Sequence, residues 1–240
     1  MRMSDLQPTL WLSRDEVIFD RMVRFHRERV EALIAGFAPL LSREGGLLVA
    51  HLIPQACIEG RHRFDVSQLQ AHGTSIGCLN GNVGHPRFNI DGLSMADGDK
   101  RIRAYSQFYR DGRLEAVASD IFYKQNDCSI FRDTTSERSL FSVVSNYLKF
   151  CKEVGLIAPV WLFAALVGCE GMRMCIHRGW PDLSEKGVDR SPAYLPEVEI
   201  ASLDIIPIQF LRSFCDTIWQ AAGMERSLNY DKEGNWHERR

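Results

Sequence analysis

Apolar and polar positions change period several times along this chain, and each change marks an element. From residue 13 to 37 the apolar residues Phe19, Val23, Val30, Leu33, Ile34 and Phe37 recur at helical spacing. Ser13 and Glu16 have the spacing of a capping box, so the segment predicts a long amphipathic helix. Its other side carries Arg14, Arg21, Arg24, Arg27 and Arg29 interleaved with Asp15, Asp20, Glu28 and Glu31, which predicts a solvated face of helical ion pairs. The apolar run from 47 to 54 reads as a buried strand stopped by Pro54. Spaced glycines (Gly73, Gly77, Gly81, Gly84) then predict a long loop over 55–85, with one short helix near 66–69. The phosphate-loop lysine is missing there, so the glycines read as loop rather than as a phosphate cradle.

The middle third alternates. Phe88 and Ile90 alternate with Arg87, Asn89 and Asp91, and segments 100–109 and 113–123 flank Asp111 and Gly112, a two-residue hairpin signal. An antiparallel meander follows, in which Arg103 faces Asp120, Tyr109 faces Leu114 and Ile102 faces Ile121. A second helix spans 136–154, where Leu140, Val144, Tyr147, Cys151 and Val154 form one stripe and Gly155 supplies the stop. Residues 159–167 are apolar on both faces and predict a central strand, with 172–176 returning as its hairpin partner and 194–201 as one more strand. The last helix starts near Ile206 with Pro207 at its first turn, buries Phe210, Leu211, Phe214 and Ile218, and ends at Gly223. Leu228, Tyr230 and Trp236 anchor a packed segment over 226–236. The fold expected is one α/β or α+β domain over 1–240, with a mixed, largely antiparallel sheet and three main helices. Its parts are 13–37, 46–123, 136–223 and the packed segment 224–240.

Composition narrows the class. With 45% hydrophobic and 25% charged residues, disorder is excluded, and 29 basic against 31 acidic side chains exclude a polycation. Any contact with nucleic acid must therefore come from a local patch. The longest apolar run, 158–167, is too short to span a membrane, and the N-terminus lacks a secretory apolar core. These features predict no membrane association and a cytoplasmic location. Seven irregularly spaced cysteines suit reduced core thiols, with no disulfide expected.

Chemistry is mostly missing from the motifs. There is no CxxC or HExxH spacing, and Cys169, Cys175 and His177 read as packing residues, so no metal and no cofactor are expected. Neither GxSxG nor a strand-linked GxGxxG occurs, and the acidic sets Asp97/Asp99, Glu115/Asp120 and Glu197/Glu199 do not converge. No catalytic residue is assigned, and the chain leans away from being an enzyme. A Cys–His pair meeting in space, or a hydrolase or nuclease with a dispersed site, stays open. The most suggestive feature is the strand before Asp111, where alternation puts Arg101, Arg103, Tyr105, Gln107 and Tyr109 on one face. Arginine with tyrosine suits phosphates and stacked bases, which makes Arg101, Arg103, Tyr105 and Tyr109 the candidate nucleic-acid-binding residues. A wet antiparallel face collects the same residues through cross-strand pairing, and that reading stays open beside it.

The order of first helix, His51-Leu52-Ile53-Pro54, Arg110-Asp111-Gly112-Arg113-Leu114-Glu115-Ala116, and the terminal run from Arg226 to Trp236 resembles a known arrangement. It is similar to the C-terminal region of bacterial proteins carrying an Alba-type, Schlafen-like DNA-binding domain, over about 13–236. The Alba-type domain itself has no counterpart in these 240 residues. The resemblance implies a bacterial, DNA-associated context such as phage defence, and carries over no catalytic residues. The expected function is a non-catalytic accessory or sensor module working with nucleic acid or a nucleic-acid-binding protein. An obligate protein-interaction subunit, with another chain or a second copy as partner, is the alternative.

Overall fold

Eight strands form one antiparallel sheet between two unequal helical layers. The computed structural model describes residues 13–37, 46–60, 62–65, 67, 69–70, 76–79, 85–98, 102–119, 121–125, 127–177 and 182–238. The elements run α1 (Arg14–Ala35), β1 (Leu47–Pro54), α2 (Gln55–Ile58), β2 (His85–Asn89), β3 (Gly92–Ala96), β4 (Ala104–Tyr109) and β5 (Leu114–Ala118). Then come β6 (Phe122–Gln125), β7 (Cys128–Phe131), α3 (Asp133–Glu153), β8 (Val160–Val167), β9 (Cys175–His177) and β10 (Asp182–Leu183). The chain closes with β11 (Ala193–Tyr194), β12 (Val198–Ile200), α4 (Pro207–Phe210) and α5 (Arg212–Ala221). The large sheet has the order β11-β8-β1-β5-β4-β3-β2, with β12 also on β8, while β6/β7 and β9/β10 form separate pairs. The fold is thus mixed α+β with three sizable helices, as the pattern predicted.

Strand parity assigns the two faces. Leu48, Ala50 and Leu52 of β1, Leu114 and Ala116 of β5, and Leu162 and Ala164 of β8 meet Leu140, Val144, Tyr147 and Cys151 of α3 in the larger core. The alternate residues Val49, Val117 and Ala165 meet Val30 and Leu33 of α1, and Ile53 and Phe163 meet Ile18 and Met22. Covered on both sides, β1 and β8 need apolar residues at successive positions. The capping box at Ser13 and Glu16 forms, fixing the start of α1.

Three expectations are corrected. Segment 172–176 does not pair with β8, because β1 lies along the whole of β8 on one side and β11 and β12 occupy the other; β9 pairs with β10 instead. The last helix is broken at Leu211 into α4 and α5, which leaves Phe210 exposed while Leu211, Phe214 and Ile218 are buried. The β4–β5 hairpin turns through Arg110, Asp111 and Gly112 rather than through two residues, since Tyr109 N donates to the Arg113 carbonyl and Gly112 N to that of Tyr109. A two-residue turn of the expected kind needs positive φ at both central residues, and here only Gly112 has it, at 100°. The pairing slips by one, to Phe108 opposite Leu114 and Tyr105 opposite Val117. The expected partner Asp120 lies outside the described residues.

The C-terminal segment is packed, with a Tyr230–Trp236 bridge and Tyr230 buried. Its fastening point is Glu137 of α3, whose buried carboxylate accepts from Trp219 Nε1 at 3.1 Å, Ser227 Oγ at 3.0 Å, Asn229 Nδ2 at 2.8 Å and Trp236 Nε1 at 2.8 Å. Burial pushes this carboxyl above its ordinary value, against the donors that favour its charge. Trp236→Phe keeps a ring against Phe141 but removes one donor. Urea denaturation should show a loss of roughly 1–2 kcal/mol; an unchanged midpoint would separate the segment from the stability of the core.

Candidate functional site

The corrected register places a polar row across the sheet. His51 of β1 lies opposite Glu115 of β5, Glu115 opposite Gln107 of β4, and Gln107 opposite Ser94 of β3. Residues directly opposite share a face, so all four lie on the α1 side. Gln107 Oε1 accepts from Asn89 Nδ2 at 2.6 Å and from Ser94 Oγ at 2.8 Å. Glu115 is the charged centre. Arg29 of α1 grips it with Nε on Oε2 at 2.7 Å and a terminal nitrogen on Oε1 at 2.9 Å, and the Tyr105 hydroxyl donates to Oε1 at 2.6 Å.

His51 Nε2 lies 2.9 Å from Glu115 Oε2, and its Nδ1 lies 2.7 Å from Nδ1 of His26 on α1. An ionised carboxylate only accepts, so Nε2 of His51 is the donor, and the contact between the two Nδ1 atoms has room for one proton. Burial, and then the neighbouring His51, push His26 down to about 2, so it is neutral. Burial alone would raise Glu115, but hydrogen bonds from His51 and Arg29 overcome it and bring the carboxyl down to about 2. Burial and Glu115 together raise the Tyr105 hydroxyl well above its ordinary value. A neutral histidine, an ionised glutamate and an arginine thus tie α1 to the sheet.

Each predicted binding residue now has a place, except Arg101, which lies outside the described residues. Tyr105 and Tyr109 do share a face, but that face is roofed by α1 rather than open. Tyr105 is 0% exposed and spends its hydroxyl on Glu115, so it presents no ring for a base. Tyr109 is half-buried, edge-on to Phe25 at 5.4 Å. Arg103 precedes β4, is exposed, and stands 3.9 Å from Asp97.

A groove opens where α1 passes the β4–β5 hairpin. It measures about 390 Å³, and its walls include Arg21, Arg24 and Phe25 of α1, Arg63, and Asp111 and Arg113 of the hairpin. A second hollow of about 250 Å³ shares Arg63, Asp111 and Arg113 and continues to Arg110. Arg113 pairs with Asp111 at 2.7 Å and lies over the Phe25 ring at 4.0 Å, while Arg24 pairs with Asp20 at 2.8 Å. Arg21, Arg63 and Arg110 make no ion pair among the described residues. The helical pairing expected for α1 therefore covers Arg24 but not Arg21, and Arg29 is held across the sheet instead. Phe25 separates groove from network, touching Arg113 on one side and the His51 ring edge-on at 5.2 Å on the other.

The sequence contained one unread signal for the network. The apolar stripe of α1 is interrupted between Val23 and Val30, and His26 fills the gap. Among the described residues, no group of three or more His, Cys, Asp or Glu side chains could hold a metal ion. All seven cysteines are free, five of them buried. No helix among the described residues is long and apolar enough to cross a membrane. Compared with family models, curated proteins and solved structures, the chain matches none.

Proposed function

We propose that the chain is a non-catalytic module that contacts nucleic acid directly through the arginine-lined groove. The observation that carries this reading is that Arg21, Arg63 and Arg110, none ion-paired among the described residues, line two adjoining hollows at the hairpin, with Arg110 held in place by its Nε on the Ile90 carbonyl at 3.1 Å. A guanidinium without a carboxylate is available to a phosphate, whereas one already paired is partly neutralised. The resemblance to Alba-type, Schlafen-like proteins supports the same reading and a setting in bacterial phage defence. The strongest acid–base constellation, His51 with Glu115, is sealed under α1 with both side chains 0% exposed, which favours a structural over a catalytic role.

Fluorescence anisotropy with labelled oligonucleotides between about 50 and 200 mM salt tests the proposal. Each phosphate contact contributes roughly 0.7–0.9 to the slope of log affinity against log salt. Arg21→Ala with Arg63→Ala should weaken binding and lower that slope by roughly 1.4–1.8. Arg27→Ala is the control, since Arg27 lies over Tyr194, away from the groove. Equal loss from the control would mean that the groove is not the surface, and no binding at low salt would end the reading.

A further inference from the structure

We infer that the groove takes a single strand rather than a duplex, with phosphates on Arg21, Arg63 and Arg110 and a base amino group on Asp111. The inference rests on the nucleic-acid reading above and adds the form of the ligand. The two hollows share Arg63, Asp111 and Arg113 and so adjoin at the hairpin tip, with Arg21 lining the larger and Arg110 the smaller. The larger hollow has a volume suited to a small ligand, and so can hold one unstacked base with its sugar. A duplex keeps its base edges paired inside a stiff cylinder and offers only its outer phosphates to such a cleft. A single strand can bend around the hairpin tip and turn a base into it.

The acids of the groove point the same way. Glu28 and Asp111 line the larger hollow, and Asp91 and Asp111 the smaller. A surface built only for a duplex backbone gains nothing from carboxylates among its arginines, because each repels phosphate. A carboxylate beside a free base edge instead accepts from an exocyclic amino group, as carboxylates do with the cytosine amine. Asp111 is held for this: its Oδ2 faces the Arg113 guanidinium, with Nε at 2.8 Å and a terminal nitrogen at 2.7 Å, while its Oδ1 accepts from the Arg113 backbone N–H at 3.2 Å and keeps a further lone pair for a base amino group. The Arg113 guanidinium, 4.0 Å from the Phe25 ring centre and 5.3 Å from that of Tyr109, holds the Asp111 carboxylate in place.

The test compares the full chain with labelled oligo-dC, oligo-dT and a duplex of equal length at one salt concentration. Single-stranded dC should bind at least tenfold tighter than the duplex and several-fold tighter than dT, which has no exocyclic amine. Asp111→Ala should remove the dC-over-dT preference and, because it frees the Arg113 guanidinium for phosphate, leave the salt slope as steep or steeper. The dC-to-dT ratio of the unaltered protein tests the base contact independently, should that variant fold poorly. Equal or tighter duplex binding would overturn the single-strand inference while leaving the nucleic-acid module standing. Equal dC and dT binding would overturn the role of Asp111, and failure of every oligonucleotide to bind would overturn both readings together.

Discussion

Glu115→Ala should cost roughly 3–5 kcal/mol of stability, the largest effect of any single substitution proposed for this chain. The size follows from what remains after the carboxylate is gone. Arg29, with 23% of its side chain exposed, loses both of its charge-assisted hydrogen bonds. Buried His51 loses the acceptor of Nε2, and Tyr105, with no route to water, loses the acceptor of its hydroxyl. Each unsatisfied buried donor costs roughly 1–3 kcal/mol, and the unpaired charge adds to them. Arg29→Ala should cost less, because His51 and Tyr105 still hold Glu115. The double variant should fall short of the sum of the singles, since both remove the same contact. Urea denaturation at neutral pH measures all three. A loss under about 1 kcal/mol for Glu115→Ala would mean that α1 is held by its apolar contacts alone.

What the sequence could and could not reveal divides at the range of the interaction. Ser13 and Glu16 cap α1 through contacts three residues apart, and the α3 stripe through Leu140, Val144, Tyr147 and Cys151 follows one helix period, so both were legible from local spacing. The hairpin register was not, because it turns on a single dihedral angle. Asp111 followed by Gly112 suits a two-residue turn on paper, but only Gly112 takes positive φ, and Tyr147 of α3 further fixes the tip by donating its hydroxyl to the Gly112 carbonyl at 2.6 Å. That one-residue slip decides the candidate site. In the expected register Glu115 faces away from Tyr105, and in the observed one it sits beneath it. The openness of the Arg/Tyr strand face was equally illegible, since whether a helix roofs a sheet depends on a return of the chain that strand alternation cannot encode. The arginines of α1 show the same limit. Composition presents five in a row of helical turns, and only the fold separates Arg29, tied to Glu115, from Arg21, left facing the groove.

Acidification should destabilise the protein through the seam under α1, by about 3 kcal/mol between pH 7.5 and 4.5. His26 has an ordinary value of 6.5 and is held at about 2 in the folded chain. Below 6.5 the unfolded chain takes up a proton that the folded chain refuses, so stability is complete above that value and declines as pH falls toward 2. Glu115 acts in the same direction over a lower window, from its ordinary 4.5 down to about 2, because the folded state needs it ionised. Glu137 opposes them. Its folded value is raised, so its contribution is lost as pH rises and regained on acidification, and Glu137→Gln should steepen the acid slope. His26→Phe tests the assignment: the variant starts less stable at pH 7.5, where His51 Nδ1 loses its partner, yet loses less on acidification. The stability curves of variant and parent should converge toward pH 4.5, and hydrogen exchange should show the α1 amides opening before those of β1 and β8. Parallel curves would place the acid sensitivity elsewhere. Convergence without early opening of α1 would show that the helix leaves only with the whole fold, so that groove and seam, both built on α1, are lost in one step.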